Sequence, residues 1–300
     1  MKPRLTRLAL WMAAVVAIGT VSCRAADAGA PDGDSAGPAA GIPCAEKVAT
    51  DDAKETKIDP DVDRVLRLAE EAGKKIAKLD TRFDYEFRQT LIDENEWRLG
   101  RMIYRKPSDI RIEFADGKKE VFRFNGRVYV EDRPGQRQRY VHIFRKPHQK
   151  PISILDVEEL PFPHPFGQKR DTLLKDFEIR YKGKVELEPW ARPGVKADAD
   201  APDNPKKYEH LELLPKPKSR AAKEYVRIDY WLDPDNGLFR QVRTEDKSER
   251  ILTVRFRDIK INDKVKTDER LFEEGSLPDK TWERVENDHT TEEPQGEKAR

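Results

Sequence analysis

The chain has 300 residues, of which 38% are charged and 37% are hydrophobic, so it is more polar than an average soluble protein. Lys and Arg together number 58 and Asp and Glu number 57, which leaves a net charge of +1 at pH 7. Because the two signs are interspersed, no segment provides the strong positive field on which nucleic-acid binding depends. The composition therefore predicts a charged surface over a modest core and no nucleic-acid partner.

The first residues have the pattern of a secretory signal. Lys2, Arg4 and Arg7 form a basic region, and the apolar run from Leu8 to Gly19 follows it. A helix that spans a bilayer needs about 20 apolar residues, and this run is shorter. We therefore predict that residues 1–25 are a signal peptide and that the protein is exported to the periplasm. An uncleaved anchor is the alternative.

Two patterns compete for the cleavage point. The segment from Thr20 to Cys23 resembles a lipoprotein signal, in which Cys23 would be lipidated and would anchor the chain to a membrane. The segment Ala26-Asp27-Ala28 fits ordinary cleavage instead. Cys23 and Cys44 are the only cysteines, and both precede the predicted folded region. The fold therefore cannot depend on disulfide bonds.

Composition divides the rest of the chain into three parts. Residues 26–58 are rich in Ala, Gly, Asp and Pro and lack aromatic residues, which predicts a disordered linker. Residues 59–275 form the predicted folded domain, and residues 276–300 are predicted to be a polar tail. Within the domain, the segment from Pro189 to Lys207 is expected to be a long surface loop.

The domain is predicted to begin with an amphipathic helix. Asp59 is a suitable N-cap, and Pro60 suits the first turn that follows it. Apolar residues then recur at spacings of three and four, namely Val65, Leu68, Ala69, Ala72, Ile76 and Leu79. This spacing predicts about five helical turns with one apolar stripe.

From Phe83 onward the hydrophobic period changes to two, which predicts half-buried strands. The residues expected on apolar faces include Phe83, Tyr85, Phe87, Trp97, Leu99, Ile110, Ile112, Phe114, Phe122, Phe124, Val128 and Val130. The same alternation assigns Arg98 and Tyr129 to the opposite faces. Asn125-Gly126 predicts a tight hairpin, and the segment from Asp233 to Gly237 predicts a second turn. One long helix and about ten antiparallel strands indicate a mainly β (α+β) fold, a curved incomplete antiparallel barrel with a helical lid or plug.

Motifs for chemistry are absent from the sequence. There is no GxSxG, Walker loop or GxGxxG after a strand, and the predicted folded region contains no cysteine. The five histidines do not form HxxxH or HxxEH spacings, and they are His142, His148, His164, His210 and His289. We therefore interpret the chain as a non-enzyme without a metal or cofactor.

Several segments resemble the LolA-like periplasmic lipoprotein carriers and occur in the order of that family. The most specific is a strand, an Asp-x-Asp-x-Gly-Leu turn and a second strand, which corresponds to Ile228–Val242 here. The other matching segments are Met102–Pro107 with Asp109–Phe114, Val121–Val130, Leu211–Lys216 and Phe256–Asn262. The resemblance implies a LolA/LolB-like half-barrel whose apolar cavity holds acyl chains.

The resemblance also implies a function and its residues. We expect an exported lipid- or lipoprotein-binding carrier, a monomer whose partner is a lipid or an acylated protein, with envelope membrane proteins as further partners. The candidate cavity residues are Phe83, Tyr85, Phe87, Ile112, Phe114, Phe122 and Phe124. In the family an arginine before a strand-linking proline latches the lid, and here Lys106 holds that place with Arg105 one position earlier. A periplasmic sensor or interaction module of the same fold, binding a protein partner, is the alternative.

Overall fold

The computed structural model describes residues 58–152, 169–187 and 206–290, and the compact unit to which nearly all of them belong begins at Asp59. The predicted signal peptide, almost all of the predicted linker, Cys23 and the last ten residues of the predicted tail lie outside the described residues. So do the proline-rich stretch 153–168 and most of the predicted loop, 188–205.

The predicted first helix is present as α1, Pro60–Lys75, but it is shorter than predicted, because Ile76 is its extended C-cap and Leu79 already belongs to the first strand. The side chain of Asp59 caps it by accepting a hydrogen bond of 2.8 Å from the backbone N–H of Asp61. Its buried stripe consists of Val62, Val65, Leu66, Ala69, Ala72 and Gly73. Two shorter helices follow, α2 at Arg170–Asp176 and α3 at Ala221–Glu224. In the described part of the chain, no helix has both the length and the apolar run that crossing a bilayer demands.

In the described residues, twelve strands form a single sheet in the order β12-β6-β5-β4-β3-β2-β1-β11-β10-β9-β8-β7. The strands are β1 Lys78–Gln89, β2 Glu94–Arg105, β3 Asp109–Phe114, β4 Val121–Asn125, β5 Val128–Arg133, β6 Gln138–Ile143, β7 Phe177–Glu186, β8 Lys207–Pro215, β9 Tyr225–Leu232, β10 Phe239–Asp246, β11 Arg250–Ile261 and β12 Glu283–Asp288. All neighbouring pairs are antiparallel except β12 with β6. Both predicted turns are confirmed, with Gly126 and Gly237 at φ values of 80° and 70°.

The sheet is open. Its edge strands are β12 and β7, and the strand order of the described residues does not join them. The prediction of an incomplete, mainly β structure is confirmed, and a closed barrel would be the wrong description. Strand β12 lies within residues 276–300, where the sequence analysis expected only a polar tail. Its side chains are mostly exposed and charged, so apolar alternation gave no signal for it.

The two faces of the sheet differ in character. The face that bears Phe83, Tyr85, Phe114 and Phe122 is called the aromatic face, and the opposite one, which bears Asp84, is called the charged face. Direct cross-strand partners point to the same side of a sheet, so the register assigns the residues of each strand to a face.

That register corrects two predicted strands. In β2, Arg98 pairs with Tyr85 and therefore lies on the aromatic face, whereas Trp97 and Leu99 lie on the charged face. In β5, Tyr129 pairs with Phe124 on the aromatic face, and the two valines that flank it lie on the other side. The physical reason is that the neighbouring strands fix the register, and the C-terminal segment buries part of the charged face, so apolar residues occur on both sides.

Helix α1 is tied to the β7–β8 end of the sheet. Arg64 donates to Glu209 of β8 with a distance of 2.9 Å between Nη1 and Oε1, and the hydroxyl of Tyr181 in β7 donates to the same carboxylate. The β9–β10 turn approaches the helix closely, because a Cβ added at Gly237 would lie 2.5 Å from the carbonyl oxygen of Leu68. Glycine is therefore required there for space as well as for its positive φ.

The C-terminal segment crosses the charged face before it reaches β12. Arg111 of β3 donates to the carbonyl of Leu271 at 2.8 Å, and Arg139 of β6 donates to the carbonyl of Gly275 at 3.0 Å. Phe272 is buried beneath this crossing. The segment therefore joins the middle of the sheet to its β12 edge.

Candidate functional site on the aromatic face

The structure brings the predicted cavity residues together on the aromatic face. Six of them are buried, namely Phe83, Tyr85, Ile112, Phe114, Phe122 and Phe124. Phe87 lies on the same face nearer the end of β1 and is half-buried. Their assembly follows from register, because Phe83 opposes Gly100, Phe114 opposes Gly100 from the other side, and Phe122 opposes Ile112.

The aromatic rings form a connected series of edge-to-face contacts. The ring centroids of Phe83 and Phe114 are 5.6 Å apart, and those of Phe114 and Phe122 are 6.0 Å apart. Tyr85 also meets Phe114 edge to face at 5.8 Å, and Tyr129 extends the series by stacking on Phe122 at 6.4 Å. Contacts of this kind contribute about 0.5–1.5 kcal/mol each beyond the area they bury, so the face has a defined shape.

Gly100 makes this arrangement possible at the centre of the face. A Cβ at this position would lie 2.2 Å from the Cζ atom of Phe83, so the ring of Phe83 lies directly over the glycine. Gly100 pairs with Phe83 on one side and with Phe114 on the other. The missing side chain therefore leaves the room in which two neighbouring aromatic rings meet.

A buried charged cluster borders the aromatic rings. The guanidinium carbon of Arg98 is 3.6 Å from the centroid of the Phe114 ring, and only 4% of the residue is exposed. Arg98 donates from Nη1 to Glu120 at 2.7 Å and from Nε to Asp116. Burial lowers the pKa of Arg98, but its hydrogen bonds to Asp116 and Glu120 outweigh that effect and raise it, so the group stays charged.

A second buried pair lies further along the same face. Glu131 opposes Phe122 and accepts a hydrogen bond from Arg133, whose guanidinium carbon lies 4.4 Å from the ring centroid of Tyr140. Burial raises the pKa of Glu131 despite the neighbouring arginine, and burial also raises the pKa of Tyr129. The aromatic face is thus an apolar centre with charged groups at one border.

Two buried polar atoms on this face have unused hydrogen-bonding capacity. The Nη2 atom of Arg98 and the hydroxyl of Tyr104 have no hydrogen-bond partner among the residues that the structure describes. Burial raises the pKa of Tyr104 to about 12, so the hydroxyl keeps its proton at neutral pH. Buried polar groups in folded proteins usually have partners, so these two atoms are candidate contacts for a bound molecule.

The two latch candidates make different contacts. Lys106 donates from Nζ to the carbonyl of Lys74 in the last turn of α1, at 2.8 Å. Arg105 donates to Asp109 and to Glu269, and its guanidinium carbon is 5.2 Å from the ring centroid of Phe272. Arg105 therefore contacts the C-terminal segment, while Lys106 contacts the helix. A latching role for either residue remains a prediction.

Sequence reasoning missed Arg98, Glu120, Glu131 and Tyr129 as members of this face. Charged residues in alternating strands are normally assigned to the solvent side, and that rule placed Arg98 there. Gly100, two residues after Arg98, is the sequence feature that could have indicated this arrangement. A glycine inside a strand often marks the close approach of another group, and here that group is the ring of Phe83.

Groups of three or more His, Cys, Asp or Glu side chains that could hold a metal ion do not occur within residues 58–152, 169–187 and 206–290. Two histidines do meet in this part of the chain, with the Nδ1 atom of His142 3.3 Å from the Nε2 atom of His289. Two imidazoles alone do not complete a tetrahedral site.

Comparison with protein-family models and with curated proteins finds no match for this chain. Several solved structures are similar in fold. The Nitrosomonas europaea LolA superfamily protein is 11% identical, with 71% of this chain and 97% of that chain covered and a TM-score of 0.31. The Mycobacterium tuberculosis lipoprotein LppX is also 11% identical, with 70% and 100% covered and a TM-score of 0.38.

The Pseudomonas aeruginosa MucA/MucB complex is a further similar structure. It is 14% identical, with 72% of this chain and 61% of that chain covered and a TM-score of 0.41. The open sheet with its helix agrees with the incomplete, mainly β architecture that the sequence analysis predicted. At these identities the likeness concerns the fold alone.

Proposed function

We propose that this protein is an exported carrier that holds the acyl chain of a lipid or of an acylated protein against the aromatic face of its sheet. The observation that carries the proposal is the combination on one buried face of connected aromatic rings with two polar groups, Arg98 Nη2 and the Tyr104 hydroxyl, that lack partners among the described residues. An amphiphile supplies both an apolar chain and a polar group, so it is the class of ligand that matches this combination.

The apolar part of such a ligand would provide most of the binding free energy. Each methylene group removed from water contributes about 0.8 kcal/mol, so a chain of moderate length needs no specific polar contact to bind firmly. The polar group would contribute orientation. A carboxylate or ester oxygen accepting from Arg98 Nη2 would satisfy a donor that the neighbouring Asp116 and Glu120 leave unused.

The open sheet supports exchange of the cargo. A closed barrel would release a bound chain only through its ends, whereas the sheet described here has two separate edges. Helix α1 is anchored at the β7–β8 end of the sheet by the ion pair of Arg64 with Glu209. The carrier would therefore release an acyl chain without breaking strand pairs.

The test is native mass spectrometry of the mature protein, purified gently from its own envelope, before and after organic extraction. We expect a co-purifying mass of acyl-chain type that extraction removes and that added phospholipid or acylated peptide restores. Ile112→Trp, which fills the aromatic face, should reduce uptake at least tenfold. The matched control is Leu91→Trp, because Leu91 is 65% exposed and lies in the turn between β1 and β2, outside the strands that form that face.

A clean apo mass with no uptake of either probe would contradict the carrier function. In that case the alternative of an interaction module with a protein partner becomes the better hypothesis, and the aromatic face would be a filled core. Equal uptake by the wild type and Ile112→Trp, with both variants folded by circular dichroism, would also count against binding at this face.

A further inference from the structure

A cavity lies on the charged face, on the opposite side of the sheet from the proposed lipid site. Its volume is about 530 Å³. Pockets for small ligands typically enclose about 300–1,000 Å³, so the cavity can accept a small molecule. The residues that define its chemistry come from strands β2, β8, β9, β10 and β11 and are Trp97, His210, Trp231, Gln241, Arg243 and Thr253.

Flat aromatic surfaces form part of the cavity wall. The imidazole of His210 stacks on the indole of Trp231, with ring centroids 4.5 Å apart and planes inclined by 11°. His210 is held in this position because its Nε2 atom is 2.9 Å from Oδ1 of Asp229. Trp97 contributes a second indole from β2. Such rings offer a broad apolar surface together with a polar edge.

The cavity also contains an arginine whose hydrogen-bonding capacity is incompletely used. Arg88 donates to Glu86 at 2.9 Å, and Arg255 donates twice to Gln241, at 2.7 Å and 2.9 Å. In contrast, the Nε atom of Arg243 is buried and has no hydrogen-bond partner among the described residues. Leaving a buried donor of a charged group unsatisfied is costly, and a bound anion would remove that cost.

We propose that this cavity binds a carbohydrate that carries a carboxylate, with Arg243 holding the carboxylate and an indole of the wall stacking on the sugar ring. Gln241 and Thr253 are buried polar residues in the wall and supply partners for hydroxyl groups. A sugar acid offers one negative charge, several hydroxyls and a flat apolar ring face, and each of these has a counterpart in the cavity.

Other ligand classes fit less well. An acyl chain would leave the buried Nε atom of Arg243 without a polar partner. A polyanion such as nucleic acid would meet the carboxylates of Glu86 and Glu186, which also line the cavity. A neutral sugar would leave the Nε atom of Arg243 without an anion.

The test is isothermal titration of the full mature chain with an acidic probe, maltotriose in which the terminal glucose is replaced by glucuronate so that it carries one carboxylate, compared with maltotriose itself as the neutral probe. We expect one site for the acidic probe and at least tenfold weaker binding of maltotriose. Arg243→Gln should weaken binding of the acidic probe at least tenfold while leaving maltotriose unchanged. Arg243→Lys, which keeps the charge but loses the planar fork, should fall between the wild type and Arg243→Gln.

Arg180→Gln is the matched control, because it removes the same charge from a side chain that is 54% exposed on β7 and does not line the cavity. This control should bind the acidic probe as the wild type does.

Quenching of tryptophan fluorescence in the wild type checks the site independently of any variant. The proposal is overturned by failure of the wild type to bind the acidic probe, by equal binding of both probes, or by equal loss in the Arg180 control. None of these outcomes depends on whether the aromatic face binds lipid.

Discussion

The guanidinium of Arg98 lies over the ring of Phe114, with 3.6 Å between its central carbon and the ring centroid. A charged group is thereby built into the aromatic face at the border of its apolar centre. The cation–π contact and the ion pair with Glu120 stabilise the same side chain in two ways, and burial strengthens both.

Arg98→Met should lower the free energy of unfolding by about 3–5 kcal/mol, because it leaves the buried carboxylate of Glu120 without its cation. The double variant Arg98→Met with Glu120→Gln should recover a substantial part of that loss. Urea denaturation of the wild type, both single variants and the double variant measures the coupling. Strictly additive losses would mean that the pair does not interact energetically.

Asp132→Asn should also destabilise the protein by about 3–5 kcal/mol. On the charged face, Asp132 accepts from Arg123 at 2.6 Å and from Arg139 at 2.5 Å, and all three residues are buried. Burial acts to raise the pKa of Asp132, but the hydrogen bonds and charges of the two arginines lower it overall, so the carboxylate is charged.

Asp80→Asn is the comparison for that variant. Asp80 pairs with Arg101, whose side chain is 47% exposed, and exposed pairs contribute at most about 1 kcal/mol. Chemical denaturation of the two variants should therefore give clearly different midpoints. A similar small loss in both would show that burial of the Asp132 cluster has little energetic consequence.

Gly100→Ala should destabilise the fold by about 1–3 kcal/mol through overpacking, because the new Cβ would meet the ring of Phe83 at 2.2 Å. Gly117→Ala is the control, since a Cβ there has nothing within 4 Å. Adding Phe83→Leu to Gly100→Ala should relieve part of the strain. Thermal unfolding followed by circular dichroism distinguishes these cases, and an unchanged midpoint in Gly100→Ala would contradict the close approach.

Stability should decline as the pH falls from about 7.5 to 5, in part because of His142. Burial, and then the nearby His289 and Arg133, lower the pKa of His142 below its ordinary value of 6.5. The unfolded chain therefore binds the proton more readily than the folded chain, so this contribution is complete above pH 7 and is lost as the pH falls through 6.5.

His142→Gln should reduce the pH dependence of the melting temperature, whereas His148→Gln, at an exposed position, should leave it unchanged. Melting curves recorded at several pH values provide the measurement. The interpretation fails if His142→Gln and the wild type lose the same stability over this range.

Local patterns predicted much of the framework. The cap formed by Asp59, the apolar spacing from Val65 to Ala72 in α1 and the turn glycines at positions 126 and 237 act within a few residues of the chain, and the structure confirms them. The helix ends before Ile76 and Leu79, which the same spacing had included. The pairing of Phe83, Phe114 and Phe122 on one face was also predictable, because strict alternation defines a face whenever the strand is half-buried.

The predictions that failed depend on contacts distant in sequence. Alternation placed Trp97 on the apolar face, but the pairing of β1 with β2 turned it to the other side and brought Arg98 beside Phe114. Strand β12 was not predicted, because it pairs with β6 through backbone hydrogen bonds and buries few apolar side chains.

The sequence by itself determined the helix, the turns and the set of aromatic residues that share a face, since these follow from local geometry and hydrophobic period. Only the tertiary structure decided which charged residues enter that face and which residues meet on the other side. A shift of one residue in register exchanges the two faces of a strand, and register is chosen by the whole sheet. The register of the sheet therefore places Arg98 and Glu120 at the border of the aromatic face. It also brings together the residues that line the cavity around Arg243.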